Sequence, residues 1–224
     1  MVPLPLKIYE FKELERDINF LKTDQILDVG CGAGIQTLCL GKKCGHIVGI
    51  DIEKDLIEYT HYLSSKLRGN ISSQFKCCPL QDAAFPENYF DKIFSICVIE
   101  HIPDYEKVVA EIYRILKPSG IFALSVDTLE GISSELRDKH QRDHSVQKYF
   151  TASELLRLLG QSGFREIRIY PIFKSNFARQ LFTKGIRDGF SYRAAYLFDY
   201  LRLVVGEKLT KNSEGIFLVA KCKK

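Results

Sequence analysis

The sequence lacks several features that mark secreted and membrane-spanning proteins. It has no run of about 18 uninterrupted apolar residues, so no membrane-spanning helix is predicted. Its first residues lack the charged region and long apolar core of a signal peptide. Internal repeats and low-complexity tracts are also absent. These absences predict a soluble, cytoplasmic protein.

The chain also lacks a disulfide or zinc pattern, although it has seven cysteines. No two of them form a C-x-x-C pair, and no histidine-rich segment accompanies them. We therefore expect neither a disulfide framework nor a metal site. The adjacent Cys77 and Cys78 allow a strained vicinal disulfide, but buried reduced thiols acting as small apolar side chains are favoured.

The composition fits one domain with an elaboration. The chain has 224 residues, 46% of them hydrophobic, which is enough to bury a full core. Its charge is uneven: residues 1–164 carry 19 Lys and Arg against 23 Asp and Glu, whereas residues 165–224 carry 13 against 5. The basic last quarter is either a solvated face or a surface that attracts an anionic substrate, a lipid headgroup or nucleic acid.

Strand-like and helix-like segments alternate, which predicts an α/β fold with a doubly wound, mostly parallel seven-stranded sheet and helices on both faces. Such sheets bind ligands outside the carboxyl ends of their strands. The predicted strands are Gln25 to Val29, His46 to Asp51, Ser73 to Cys77, Phe90 to Cys97, Ile121 to Val126, Phe164 to Tyr170 and Gly215 to Cys222. The predicted helices are Leu6 to Leu21, Ile35 to Lys43, Glu53 to Leu67, Asp104 to Leu116 and Thr151 to Ser162.

The first predicted strand runs into glycines at every second position, Gly30, Gly32 and Gly34. Glycine adopts backbone angles forbidden to other residues and lets the main chain approach a ligand closely, so this turn predicts a nucleotide-cofactor site. Asp51 ends the second strand, where a carboxylate can accept hydrogen bonds from both hydroxyls of a ribose. A glycine-rich turn without a ligand is the alternative.

The spacing of these glycines favours one cofactor over another. Dinucleotide-binding turns have the pattern G-x-G-x-x-G, and Ile35 stands where the last glycine would be, which disfavours a dehydrogenase. Asp28 lies two residues before the first glycine. The pattern D-x-G-x-G-x-G resembles the first motif of the class I methyltransferases that use S-adenosylmethionine.

Further segments resemble this family, and within it the small-molecule branch that includes ubiquinone and menaquinone biosynthesis methyltransferases. In chain order they are Ile26 to Gly34, Gly49 to Asp51, Phe85 to Asp91, Val98 to Asp104, Leu116 to Gly120, Tyr149 to Thr151, Glu154 to Leu155 and Gly163 to Phe164. The resemblance covers roughly residues 20 to 170. It implies a Rossmann-like methyltransferase domain over residues 1–224, an antiparallel last strand, and methyl transfer from S-adenosylmethionine to a small-molecule acceptor.

Two other functions stay open beside this one. A protein could bind the cofactor without catalysis, or methylate a lipid-like acceptor at a membrane surface. A nucleic-acid methyltransferase would be suggested by an Asn-Pro-Pro-Tyr tetrad that stacks a flipped base, but the chain has Ser95 to Val98 at that place. No nucleic-acid partner is therefore expected.

The resemblance also implies which residues hold the cofactor. The turn from Gly30 to Gly34, including Cys31, would line the methionine and ribose portions, and Asp28 would help to hold the amino group. The family usually has a carboxylate after strand three for the adenine amino group, but this chain has Cys78, Pro79 and Leu80 there. The adenine would instead be read by the Leu80 backbone and by apolar contact, with Gln81 or Asp82 as a substitute for that carboxylate. The implied cofactor-binding residues are Asp28, Gly30, Cys31, Gly32, Gly34, Asp51, Ile52, Leu80, Gln81 and Cys97.

Methyl transfer from a sulfonium needs mainly positioning, but an oxygen or nitrogen acceptor with a proton to lose would profit from a base near pH 7. Histidine is the obvious type. His101, after strand four, is the first candidate, and His140 and His144 are second. A cap or packing role for His101 is the alternative.

Two segments are expected to overhang the site as a lid, 127–148 and 172–214, because strands five and six should end at the cofactor edge. Apolar walls would be formed by Phe177, Phe182, Tyr192 and Tyr196, and an anionic group would be met by Arg179, Arg187 and Arg193. An amphipathic helix on a membrane is the rival use of the second segment. Plain packing over the sheet is the alternative for most of its aromatics.

Overall fold

A seven-stranded sheet forms the centre of the protein. The computed structural model describes residues 4–66, 71–189 and 196–224, and of Tyr196 the backbone alone. The strands are β1 (Gln25–Val29), β2 (His46–Asp51), β3 (Ser73–Cys77), β4 (Phe90–Ile96), β5 (Leu116–Asp127), β6 (Arg165–Ile172) and β7 (Phe217–Lys223). They lie in the order β3-β2-β1-β4-β5-β7-β6. Neighbours from β3 to β5 are parallel, and β7 is antiparallel to both β5 and β6.

Helices cover both faces of the sheet. Those described are α1 (Leu4–Glu15), α2 (Ile35–Gly41), α3 (Lys54–Lys66), α4 (Tyr105–Ile115), α5 (Ser134–His144), α6 (Ala152–Gln161), α7 (Asn176–Asp188) and α8 (Tyr196–Leu209). Side chains from α4 and α6 fill one apolar cluster, and side chains from α1, α2, α7 and α8 fill another. Among these described helices, none has the length and apolarity needed to cross a bilayer.

The predicted α/β fold is confirmed, including the antiparallel last strand and helices between β6 and β7. β1, β2 and β3 have the predicted bounds: β1 and β2 are largely apolar runs, whereas β3 is mostly polar and buries only Phe75. The predicted cap of α6 is also present, since the Thr151 side chain and the Glu154 side chain each bond the other residue's backbone amide.

Several boundaries differ from the prediction, among them those of α2, β6 and β7, which shift by one or two residues. α1 ends at Glu15 and not at Leu21, because Asp17 adopts a left-handed backbone conformation with φ of 60°. β4 ends one residue early, since Cys97 is also left-handed, with φ of 53°. β5 begins at Leu116, which pairs with Phe90 before the chain bends. All seven cysteines are free thiols, but the expected burial fails for Cys39 and Cys77, which are exposed.

Candidate active site

The glycine turn joins β1 to α2 at the carboxyl edge of the sheet. Gly30, Gly32 and Gly34 have φ values of 73°, 52° and 72°. A Cβ on Gly30 would lie 2.3 Å from Cγ2 of Val98, and one on Gly34 would lie 2.2 Å from Cγ2 of Thr60. Gly32 differs, because no atom of the described residues lies within 4 Å of its Cβ position. Packing thus requires the outer two glycines, whereas the middle one presents open backbone.

Asp51 connects the end of β2 to this turn. Its Oδ2 accepts a hydrogen bond of 2.8 Å from the Gly32 amide, and its Oδ1 accepts one of 2.9 Å from the Glu53 amide. The next side chain, Ile52, is 68% exposed. A half-buried carboxylate therefore lies between the open glycine and an exposed apolar side chain, within reach of a ligand on this edge.

Asp28 lies beneath the turn. Its Oδ2 accepts a hydrogen bond of 2.6 Å from Thr37, which ties β1 to α2. Burial raises the pKa of Asp28 to about 7, against the opposing effect of the Thr37 bond. The Cys31 side chain is also buried, and its amide donates to the carbonyl of Ile50 at 2.9 Å. These two residues hold the shape of the turn from below.

The loop after β3 offers backbone and polar groups in place of the missing carboxylate. Leu80 is only 4% exposed and packs in the core, so the apolar contact expected from its side chain is not available there. Gln81 and Asp82 are exposed on a short 3-10 turn, Leu80–Ala83. A ligand at this edge would meet the Leu80 backbone and the side chain of one of these two residues.

A buried ionic cluster lies at the ends of β4 and β5. Glu10 of α1 is fully buried, and its Oε1 accepts hydrogen bonds from Cys97 Sγ at 2.9 Å and Ser125 Oγ at 2.6 Å. Lys7 Nζ lies 2.9 Å from Glu10 Oε2. Burial opposes the charge on Lys7, but Cys97, Glu10 and Asp127 outweigh it and raise its pKa. α1 therefore brings a charged pair onto the edge where Cys97 was predicted to meet the cofactor.

Glu100 and Asp127 complete this cluster. Glu100 Oε1 accepts a hydrogen bond of 3.1 Å from the Asp127 amide, whereas Glu100 Oε2 and Asp127 Oδ1 are buried without a hydrogen-bond partner among the described residues. Burial raises the pKa of both carboxyls, and their mutual repulsion adds to the shift of Glu100. Cys97 Sγ and one oxygen from each acid lie within 4.8 Å of one another.

Three histidines gather beside the acids. The rings of His140 and His144 lie 4.6 Å apart, and the charges of His101 and His144 both act on His140. Burial lowers the pKa of all three below 6.5, that of His140 to about 4. Backbone hydrogen bonds at His144 and Ser145 partly oppose the shift of His101. The two predicted catalytic histidines, His101 and His144, are therefore neighbours and neutral at pH 7.

Hydrogen bonds around His140 fix where its proton lies. Tyr149 Oη donates to the carbonyl of Arg137 at 3.2 Å, so His140 Nδ1, 3.0 Å away, donates to Tyr149. Nε2 is then unprotonated and lies 3.7 Å from Asp127 Oδ2. A neutral imidazole facing this carboxyl agrees with an Asp127 that keeps its proton.

The segments predicted as a lid are helical, but several of the named side chains are occupied. Phe182 is fully buried and packs against His140 and Phe217, so it belongs to the core and not to an open wall. Arg179 donates to the backbone carbonyls of Glu130 and Glu214. Phe177 is half-buried, and Arg187 is exposed. Tyr192, Arg193 and the Tyr196 side chain lie outside the described residues.

A groove of about 360 Å³ lies between α5 and α7. His144 and Arg187 line it together with Lys139 and Asp143. The two predicted lid segments therefore meet at a groove that contains one predicted catalytic histidine and one predicted anion-binding arginine.

The sequence interpretation missed Lys7, Glu10, Glu100 and Asp127 as site residues. Asp127 carried a usable signal, because it is the last residue of a buried strand, as Asp51 is. Glu10 carried none, because its partner Ser125 is 115 residues away and the contact depends on where α1 packs.

Comparisons with known proteins agree with this geometry. A family model described as a methyltransferase domain matches residues 27–124. YrhH of Bacillus subtilis, described as a methyltransferase, is 32% identical over 136 residues, which are 58% of this chain and 74% of that protein. Sterol 24-C-methyltransferase of Pneumocystis carinii is 39% identical over 127 residues, 56% of this chain. The match spans 33% of that enzyme, so the chain corresponds to about a third of its length.

The fold also matches solved methyltransferases. Phosphoethanolamine N-methyltransferase 2 of Haemonchus contortus, in complex with S-adenosyl-L-methionine, has a TM-score of 0.68 at 18% identity over 98% of this chain and 57% of that chain. The order of strands and the glycine turn define a Rossmann-like nucleotide-cofactor fold. With the sequence relatives, they show that the chain belongs to the class I S-adenosylmethionine-dependent methyltransferase family.

Proposed function

We propose that the chain binds S-adenosylmethionine over the Gly30–Gly34 turn and transfers its methyl group to a small-molecule acceptor, acting as a single domain over residues 1–224. The observation that carries this proposal is the open, left-handed Gly32 whose amide is bonded to Asp51. A side chain at Gly32 would fill the space into which an adenosyl ligand fits, and Asp51 has free lone pairs for ribose hydroxyls. These residues fit the cofactor.

The remaining cofactor contacts are assigned to residues at the carboxyl edge of the sheet, according to which of their groups are exposed. Ile52 would lie against the adenine ring, and Gln81 or Asp82 with the Leu80 backbone would meet its edge. Cys97 would contribute its backbone near the methionine end, where β4 stops. Asp28 would act on the amino group chiefly by holding the turn, because Thr37 already occupies one of its oxygens.

The chemistry is an in-line displacement. The acceptor forms a bond to the methyl carbon while the sulfonium sulfur keeps the electron pair of the broken bond, which gives S-adenosylhomocysteine. A neutral His101 would take the proton of an oxygen or nitrogen acceptor, and His144 would support it from the neighbouring helix. The burial that lowers the pKa of His101 keeps the imidazole ready to accept a proton at pH 7.

The two lid segments meet at the groove between α5 and α7, and we propose that the acceptor enters the site through this groove. Arg187 and Lys139 would attract an anionic group there, and His144 would face the bound molecule. Phe177 remains a candidate wall, whereas Phe182 does not, since it is fully buried.

The experiment is calorimetric titration with S-adenosylmethionine and S-adenosylhomocysteine, followed by a screen of acceptors for formation of S-adenosylhomocysteine. Saturable binding with turnover supports the proposal. Binding without turnover for any acceptor class would favour a regulatory cofactor-binding protein, and absence of binding would overturn the assignment of the site.

A further inference from the structure

Helix α8 exposes an apolar face that the described part of the chain leaves uncovered. Its exposed large side chains are Leu197, Phe198, Leu201, Val205 and Leu209, each between 54% and 76% exposed. At 3.6 residues per turn these five lie within an arc of about 120°. The described residues also expose Leu56, Tyr59 and Tyr62 of α3, but no other described helix exposes five large apolar side chains. The arc is therefore a continuous stripe, which surface leucines scattered singly would not form.

The opposite face of α8 is firmly attached, so the exposed stripe is not the result of a loosely placed helix. Leu203 is fully buried, and the buried Glu207 accepts hydrogen bonds from the amides of Lys174 at 3.0 Å and Ser175 at 2.8 Å. Ser175 in turn caps α7. The helix therefore presents its apolar stripe outward from a fixed position.

The charges beside the stripe are positive. Arg202 and Lys208 are exposed and lie on or next to the same arc of the helix. The acids of α8 lie elsewhere, since Asp199 is half-buried on another side and Glu207 is buried. The surrounding chain, residues 165–224, carries 13 basic against 5 acidic residues. An occupant of this face therefore gains from apolar contact and from negative charge.

We propose that α8 is an interfacial helix that docks the protein onto a bilayer containing anionic lipids, with the five apolar side chains among the acyl chains and Arg202 and Lys208 at the headgroups. A helix with a leucine and phenylalanine face bordered by basic residues has the composition that lies in the membrane interface. Docking goes beyond the proposed methyl transfer and does not depend on it.

Helix α8 is connected to the candidate active site through α1. α8 packs against α1, where Lys12 Nζ lies 5.8 Å from the centre of the Tyr200 ring. α1 also carries Glu10, which accepts hydrogen bonds from Cys97 and Ser125 at the ends of β4 and β5. The helix that docks therefore packs on the helix that completes this edge of the site.

The test is flotation of the full chain with vesicles of phosphatidylcholine alone or mixed with phosphatidylglycerol, without cofactor. We expect binding to the mixed vesicles that falls at least tenfold in F198D/L201D and in R202E/K208E. The matched control is L156D/R157E, an exposed apolar and basic pair on α6, which should bind as the wild type does.

Every outcome of this test bears on the proposal. Unchanged thermal unfolding and cofactor binding in the variants would show that they fold, so that loss of flotation reports docking and not the methyltransferase site. Wild-type protein that does not bind either vesicle, or a control that loses binding equally, overturns the proposal. A wild-type dimer in analytical ultracentrifugation that F198D/L201D abolishes would also overturn it, since a second copy would then cover the stripe.

Discussion

The Gly32 amide donates to Oδ2 of Asp51 at 2.8 Å, which joins the turn after β1 to the end of β2. This single bond places the most open backbone of the site next to its ribose-binding candidate. Because the carboxylate receives the Gly32 and Glu53 amides on different oxygens, its orientation is fixed before a ligand arrives. The affinity of the site should therefore depend strongly on Asp51.

Replacing Asp51 tests this dependence. We expect Asp51→Ala to weaken S-adenosylmethionine binding by about 1.5 to 3 kcal/mol, because charge-assisted hydrogen bonds to the ribose are lost. Calorimetry measures the change, and Asp55→Asn, an exposed carboxylate at the start of α3, is the control that should bind normally. An unchanged dissociation constant for Asp51→Ala would mean that the ribose lies elsewhere.

Alanine substitutions at the glycines of the turn should have different effects on stability and on cofactor binding. Gly34→Ala should lower the free energy of unfolding by about 2 kcal/mol or more, because the new Cβ meets Thr60 in a left-handed backbone. Gly32→Ala has open space and should lose only about 1 kcal/mol of stability, while its methyl group obstructs the cofactor.

Gly189→Ala is the control for backbone strain, since Gly189 has φ of 78° and no atom of the described residues lies within 4 Å of its Cβ position. Because its ψ of 160° lies in a region that is essentially restricted to glycine, it should lose at least as much stability but keep its affinity for the cofactor. Denaturant unfolding and calorimetry check both quantities. Equal loss of cofactor affinity in the Gly32 and Gly189 variants would contradict an adenosyl site at Gly32.

Protonation of His101 should determine how the methyltransferase activity falls at acidic pH. Its folded pKa lies below 6.5, so the base is neutral above that pH and activity should fall as the pH drops below it. His101→Gln should reduce kcat roughly a hundredfold and remove this acid limb, with little change in cofactor affinity. His46→Gln, at the start of β2, is the control. A retained acid limb would assign the proton transfer to another group.

Asp127 should destabilise the fold at neutral pH. Its folded pKa is raised by burial, so its stabilising contribution is complete below about pH 4 and is lost as the pH rises through the folded value. The stability that Asp127→Asn gains over the wild type should therefore be near zero at about pH 4 and grow to about 4 kcal/mol at about pH 8. Thermal unfolding across this range measures the difference.

The control for this pH dependence is Asp143→Asn. Asp143 is exposed, and its bond to Lys139 lowers its pKa, so its contribution is present at every pH above about 5. Its effect on the melting temperature should stay flat between pH 5 and pH 8. A flat profile for Asp127→Asn as well would show that Asp127 is ionised throughout.

The sequence predicted the sheet well because local patterns determine it. β1 and β2 are largely apolar runs that end in glycine and polar turns. The turn at Gly32 and the carboxylate of Asp51 had to meet once both strands were parallel neighbours. The glycine spacing then selected the cofactor class. These features depend on residues that are close in sequence or on one rule of topology.

The buried ionic cluster could not be predicted in the same way. Glu10 and Lys7 would normally be assigned to the exposed face of a helix, and only the packing of α1 on the sheet brings Glu10 to Ser125. Likewise, Phe182 lies in an aromatic segment that predicted a lid, but in α7 its side chain packs in the core and is fully buried. Such contacts come from tertiary packing, which overrides the local pattern.

The most direct test of the central claim is a crystal structure of the protein with S-adenosylhomocysteine bound. We expect the ribose hydroxyls of the ligand to lie within hydrogen-bond distance of Asp51 and its homocysteine portion to lie over Gly32. A ligand bound away from both residues, or no binding at saturating concentration, would contradict it.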